Sequence, residues 1–284
     1  MKIDDPISSI ANCRLLPEFS SNEIRVGNLS VRLAKNATEI QASQALRFKV
    51  FYEEMGATAP VSLITDRRDA DEFDSVADHL LVIDHDLGSG PGTVVGTYRL
   101  INERAASLIG RFYSSNEFDL SRLTSFPGQK LELGRSCVAP PYRNRMVMQL
   151  LWRGIAAYVF ENKIDLMFGC ASLPGTDPDV LRDELTYLYH YHLAPPALRI
   201  SALNDRRIDM QRTSLEATNR RQVLNGLPPL IKGYLRLGGF VGDGAVVDSD
   251  FNTIDVGVVV KSDLITDKYY RHYERQLREA LERV

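Results

Sequence analysis

Residues 130–161 restrict the possible folds more than any other stretch. An alternating run, Lys130–Ala139, is cut off by Pro140-Pro141, and a long helical pattern, Tyr142–Glu161, follows at once. Proline donates no N–H to a ladder and disfavours helix at the residue before it, so the pair ends a strand cleanly. The short apolar run Ile164–Ala171 then reads as a buried strand. Strand, long helix and strand in succession point to an α/β layout.

The rest of the chain fits around that unit. Leu29–Ala34 alternates and predicts a strand. Thr38–Gln41 offers a capping box to a helix carrying Ala42, Leu46 and Val50 on one stripe. Asp66–Asp78 is charged and irregular. His79–Asp84 and Thr93–Ile101 read as strands joined by the Gly-rich turn Leu87–Gly92. A helix near Pro178–His190, a polar Arg-rich stretch Asn204–Arg221, strands at Phe240–Val241 and Ile254–Val260, and a terminal helix Asp267–Val284 complete the order. One mixed central sheet flanked by helices is expected. Residues 1–28 read as an N-terminal extension, 29–265 as the main domain and 266–284 as a C-terminal amphipathic helix.

Composition excludes several classes. Lys+Arg number 34 against 37 Asp+Glu, a net charge of −3, which gives no electrostatic footprint for nucleic acid. Cys13, Cys137 and Cys170 are odd in number and far apart, so a disulfide framework is not expected and a reducing cytoplasm fits. No stretch approaches the roughly 18 uninterrupted apolar residues of a spanning helix, and residues 1–30 carry no signal-peptide pattern. Any membrane contact would come from the surface.

Four local patterns carry chemistry: Leu46–Gly56, with Arg47 and Phe51; Asp69–Leu80, with Asp71 and Asp74; Val95–Leu100, with Arg99; and Leu131–Val138, with Glu132 and Arg135. In these residues the chain resembles the acyl-homoserine-lactone autoinducer synthases of the GNAT N-acyltransferase superfamily. Their sites use an Arg with a Phe four residues on, an Asp-x-x-Asp pair, a strand Arg and a Glu-x-x-Arg. A closer resemblance adds Phe112-Tyr113, the run Leu227–Gly239 and Asp255–Val258. Over roughly residues 29–265 it is to the L-ornithine Nα-acyltransferases of ornithine-lipid synthesis. It implies a GNAT-type domain and transfer of a 3-hydroxyacyl chain from acyl carrier protein to ornithine, giving lyso-ornithine lipid. It implies a cytoplasmic enzyme, with peripheral contact to the inner membrane open, and no cofactor beyond the carrier's phosphopantetheine.

An α-ammonium must lose a proton before it attacks a thioester, and a carboxylate in reach serves that step. Leu131 and Leu133 take one strand face, so Glu132 and Gly134 share the other, leaving substrate room beside Glu132. Glu132, Arg135 and Arg99 are the catalytic candidates, with a salt bridge from Glu132 to either arginine as the structural alternative. On sequence alone, Glu132→Gln should leave stability near wild type. The resemblance places an oxyanion-stabilising backbone N–H near Cys137–Ala139, so Cys137 and Val138 join Arg47, Phe51, Asp71 and Asp74 as substrate-binding candidates. The charged set also reads as an ion network that only fixes a loop.

CoA-using GNAT enzymes carry a Gly-rich turn around the diphosphate, but here Met146 and Met148 replace its small residues. Arg143 and Arg145 remain as donor-binding candidates for the single phosphate of a carrier's arm, against ordinary solvated arginines. His190 and His192 lack a ligand cluster, so no metal is expected. Tyr187, Tyr189 and Tyr191 read as packing residues rather than proton donors to the departing thiolate. Cys137 has no base beside it for covalent catalysis. Other N-acyl amino acid synthesis, including an autoinducer type, and a haemolysin-like lipid-binding protein remain as alternative functions.

Overall fold

The computed structural model describes residues 23–58 and 61–263. The terminal helix expected over 267–284, and all of the N-terminal extension before residue 23, lie outside the described residues. Among the described residues, eleven strands form one mixed sheet. They are β1 (Ile24–Val26), β2 (Leu29–Leu33), β3 (Asp78–Asp84), β4 (Val94–Asn102), β5 (Phe118–Asp119), β6 (Gln129–Val138), β7 (Ile164–Pro174), β8 (Ser201–Ala202), β9 (Arg207–Ile208), β10 (Phe240–Asp248) and β11 (Thr253–Lys261). The order across the sheet is β1-β2-β3-β4-β6-β7-β11-β10-β8-β5, with β9 beside β10.

The Pro140-Pro141 stop behaves as its chemistry requires. It forms a single 3-10 turn, Pro140–Tyr142, and the long helix starts later than the pattern suggested, at Arg145–Glu161. Asn144 is the reason: its side chain accepts from the Val147 N–H at 3.1 Å, the N-cap geometry. The helix crosses the sheet and returns the chain as β7, parallel to β6. Its apolar stripe (Leu150, Leu151, Ile155, Tyr158) packs on Leu80, Val82, Leu100, Leu131 and Leu133, all essentially buried. Leu131 and Leu133 thus face the long helix, and Glu132 faces the other side, as alternation requires.

The opposite face is covered near its middle by the helix Ala37–Phe48. Asn36, not Thr38, caps it, accepting from the Glu39 N–H at 3.0 Å. The helix passes into a π turn, Lys49–Glu54, which holds Val50 and Phe51. The segment expected to be irregular contains a 3-10 turn, Glu72–Ser75, closed by a reciprocal Asp71/Asp74 capping box. Among the described residues no helix is long and apolar enough to cross a membrane.

Two departures from regular pairing shape the site. β6 and β7 pair only from Gln129/Ile164 to Glu132/Phe168. Beyond that point β6 stays with β4 as far as Val138, and β7 stays with β11 as far as Pro174, so the two strands part. Gly169 stands at the apex, where a Cβ would lie 2.2 Å from the Leu133 carbonyl oxygen. The second departure is a bulge in β6: Gly134 opposes Arg99 and Cys137 opposes Thr97, leaving Arg135 and Ser136 across from one residue. Arg135 takes φ +51° there.

Candidate active site

The gap between β6 and β7 opens into a cavity of about 920 Å³. Its walls include Phe51 from the π turn, Arg99 from β4, Glu132 to Val138 from β6, Arg145, Met148 and Trp152 from the long helix, Leu230 and Gly233 from the helix Pro229–Arg236, and Cys170, Ser172 and Asp255 from β7 and β11.

Glu132 is 1% exposed. It makes no salt bridge with Arg99 or Arg135. One carboxylate oxygen accepts from the Tyr113 N–H at 2.7 Å, and the other accepts from the Ser114 N–H at 2.6 Å and from the Ser114 hydroxyl. Burial pushes its pKa up, and the Ser114 hydroxyl and the two backbone donors oppose that rise. A carboxylate raised from its usual range is better matched to taking a proton near neutrality.

Arg135 would point to the Leu133 side of a regular strand. The bulge and positive φ swing it to the Glu132 side, where its guanidinium stacks near the Tyr113 ring at 4.8 Å and the Phe251 ring at 4.9 Å. It donates to Asp69 at 3.1 Å, to the Tyr113 hydroxyl at 3.2 Å and to Asp71 at 3.4 Å. Arg47 donates to Asp69 and Asp74, both at 2.7 Å, and Arg99 donates to Asp71 at 2.6 Å and Asp74 at 3.2 Å. The three arginines and three aspartates therefore alternate in a closed ring, each aspartate meeting two arginines, and Asp69 also accepts from the Tyr52 hydroxyl at 3.1 Å. Burial alone would raise the Asp69 pKa, but the guanidiniums of Arg135 and Arg47 outweigh it and hold the carboxyl low.

Arg47, Asp71 and Asp74, expected to bind substrate, lie behind the cavity wall rather than on it. Arg47 is wholly buried and committed to the network. Phe51, Arg99, Glu132, Arg135, Cys137 and Val138 do face the cavity. Cys137 is buried, and burial pushes its thiol up to about 12, which keeps it un-ionised.

The Ala139 N–H donates to the Val95 carbonyl at 2.9 Å, so it is not available to a ligand. Backbone groups alternate along a strand, so the Val138 N–H points the other way, into the gap. The Val138 carbonyl, on the same edge, accepts from Arg143 Nε at 3.1 Å. Arg143, a donor-binding candidate that also lines the cavity, grips Glu54 with both terminal nitrogens, at 2.5 and 2.7 Å, in an exposed pair at the cavity mouth. Arg145 is exposed on the cavity rim, without an ion pair among the described residues.

Pattern reading missed a cluster at the far wall. Glu117, Cys170 and Asp255 bring their side-chain ligand atoms within 4.8 Å of one another. Cys170 Sγ lies 3.3 Å from Ser114 Oγ and 3.4 Å from Glu117. Burial, reinforced by Asp255, pushes Glu117 up to about 7; burial pushes Asp255 up to about 6 against hydrogen bonds from Thr253 and Ser172. No short motif announces these residues, because each comes from a different strand or turn.

A folded pKa above the ordinary 3.8 means that ionising Asp255 destabilises the native state, so this stability is lost as pH rises from about 4 to about 6. Asp255→Asn keeps an acceptor for the Thr253 hydroxyl and removes the buried charge. Urea unfolding at pH 8 should show it more stable than wild type by roughly 1–3 kcal/mol, with little difference near pH 4.

Residues 46–153 match the acetyltransferase (GNAT) domain family. An L-ornithine Nα-acyltransferase of Agrobacterium fabrum is 45% identical over 252 residues, covering 88% of this chain and 86% of that protein. Another from Brucella abortus is 46% identical over 253 residues, covering 88% and 90%. Among solved structures, an N-acyl amino acid synthase from uncultured soil microbes aligns with a TM-score of 0.45 at 12% identity, covering 83% of this chain and 91% of that one. With relatives of that identity along most of its length, the chain belongs to the L-ornithine Nα-acyltransferase family, built on the GNAT fold.

Proposed function

We propose that this acyltransferase moves a 3-hydroxy fatty acyl group from acyl carrier protein to the α-amine of L-ornithine, producing lyso-ornithine lipid. The acceptor follows from the family membership. The observation that carries the chemistry is the Glu132 carboxylate inside the cavity at the parting of β6 and β7. In this reading Glu132 takes a proton from the α-ammonium, directly or through one water. The freed amine attacks the thioester carbonyl, and the oxyanion that forms is met by the Val138 N–H in the gap. The C–S bond then breaks, the attacking nitrogen gives up its second proton as the amide is formed, and the carrier's thiolate takes that proton up to leave as the thiol. Arg135, on the same wall, is the cation suited to the substrate carboxylate. Arg47, Asp69, Asp71, Asp74 and Arg99 hold that wall in place.

The donor assignment rests on the start of the long helix. Met146 and Met148 stand where a diphosphate would need small residues, and the Asn144 side chain already occupies the Val147 N–H. A single pantetheine phosphate needs less, and Arg145 on the rim supplies one charge. The reaction fits a cytoplasmic setting with product delivered to the membrane surface. We expect kcat/KM to be at least about tenfold higher with the acyl-carrier thioester than with the matching acyl-CoA. Arg145→Glu should raise KM for the carrier, and added salt should raise KM for the wild type, because the attraction is screened within about 10 Å. Equal kcat/KM for the two donors would remove the carrier assignment. Retention of an autoinducer-type activity is the second outcome of interest, read by replacing ornithine with other amino compounds.

A further inference from the structure

We propose that Asp255, with Glu117 behind it, receives the δ-ammonium of the acceptor and makes the enzyme selective for a diamino acid. The inference deepens the function proposed above and rests on it.

Asp255 is 6% exposed and faces the same cavity as Glu132. The buried carboxylates of the network, Asp69 and Asp74, each meet arginines at ion-pair distance. Asp255 meets none at that distance among the described residues; the Thr253 hydroxyl donates to it at 2.8 Å, the Glu117 carboxyl shares its cluster, and Arg135 acts on it only from beyond ion-pair distance. Glu117, 5% exposed, likewise has no ion pair there. A buried carboxylate that faces a cavity without a counter-charge calls for a cation brought by the ligand.

The spacing suits the acceptor. From Glu132 the path to Asp255 runs through one short hydrogen bond to Ser114, the 3.3 Å Ser114–Cys170 contact and a gap of at most 4.8 Å. The nitrogens of extended ornithine lie about 6 Å apart, and with a hydrogen bond of about 2.8 Å at each end they bridge carboxylates up to roughly 12 Å apart. An α-amine at Glu132 therefore leaves the δ-ammonium in reach of Asp255 and away from the thioester carbon. Cys170 is held as a neutral thiol, since burial and the Glu117 and Asp255 carboxylates all resist its ionisation.

The test compares ornithine with norvaline, which has the same carbon chain and no distal amine, using one acylated carrier as donor. Wild type, Asp255→Asn, Asp255→Glu and Glu117→Gln are assayed. Wild type should prefer ornithine by about 10²-fold or more in kcat/KM. Asp255→Asn should lose that preference through a raised KM for ornithine, with norvaline turnover within about threefold of wild type. Asp255→Glu should recover part of the preference, and Glu117→Gln should weaken it in the same direction, which keeps the test open if one variant folds poorly. An unchanged ornithine-to-norvaline ratio in Asp255→Asn and Glu117→Gln would overturn the proposal while leaving ornithine acylation standing. A wild type that ignores ornithine would sink both. Activity lost on EDTA dialysis and restored by zinc would reassign the cluster to a metal and also overturn it.

Discussion

Glu132→Gln is expected to lower kcat by about 10²–10⁴, the usual range for losing a positioned base. The structure adds a stability effect that the sequence pattern does not suggest. Two fixed backbone donors, the Tyr113 and Ser114 N–H groups, address different oxygens of the carboxylate. An amide offers one oxygen, so its NH₂ must face one of those donors, which costs about 1–3 kcal/mol. Activity is therefore compared below the unfolding range of the variant. The pH profile separates the two effects. If Glu132 is the base, the variant's rate should climb steadily with pH, because only amine already free of its proton can react. A variant whose activity falls in proportion to its folded fraction, with an unchanged pH profile, would make Glu132 a scaffold for the 113–114 turn.

The second large effect is expected at Asp69. Asp69→Ala leaves Arg47 and Arg135 without their shared counter-charge in a site where Arg47 is fully buried. Breaking a buried ion pair from one side costs about 3–5 kcal/mol, a large fraction of a typical domain's stability. Urea unfolding should show that loss, and Arg135, released from its anchor, should no longer hold the cavity wall. Arg143→Ala, by contrast, removes a half-exposed pair with Glu54 and should change stability by less than about 1 kcal/mol. Comparable losses at Asp69 and Arg143 would mean that the network is not what fixes the wall.

The legible parts of the fold were those with local chemistry. Pro140-Pro141, the long apolar stripe after it and the alternating runs of β2, β3 and β4 all act within a few residues, so pattern reading reached them. β8 and β9, two residues each, are set by their partners in β10 and leave no pattern of their own. The strand β1 falls within the stretch that reads as an N-terminal extension, because three residues give too little periodicity. In the site, alternation placed Glu132 on the correct face, but no local signal marks the bulge that brings Arg135 to that same face. The ion network was visible as a set of charges, and which members line the cavity was not. That depends on Asp69, twenty-two residues from Arg47 and sixty-six from Arg135, closing the set from behind. Glu117, Cys170 and Asp255 meet only through sheet assembly.

The most direct test of the proposed reaction is a single incubation of purified protein with 3-hydroxyacyl carrier protein and L-ornithine, followed by tandem mass spectrometry of the product. Free carrier thiol should appear together with an N-acyl-ornithine whose fragments place the chain on the α-nitrogen. A chain on the δ-nitrogen, or carrier left fully acylated while ornithine stays unchanged, would contradict it.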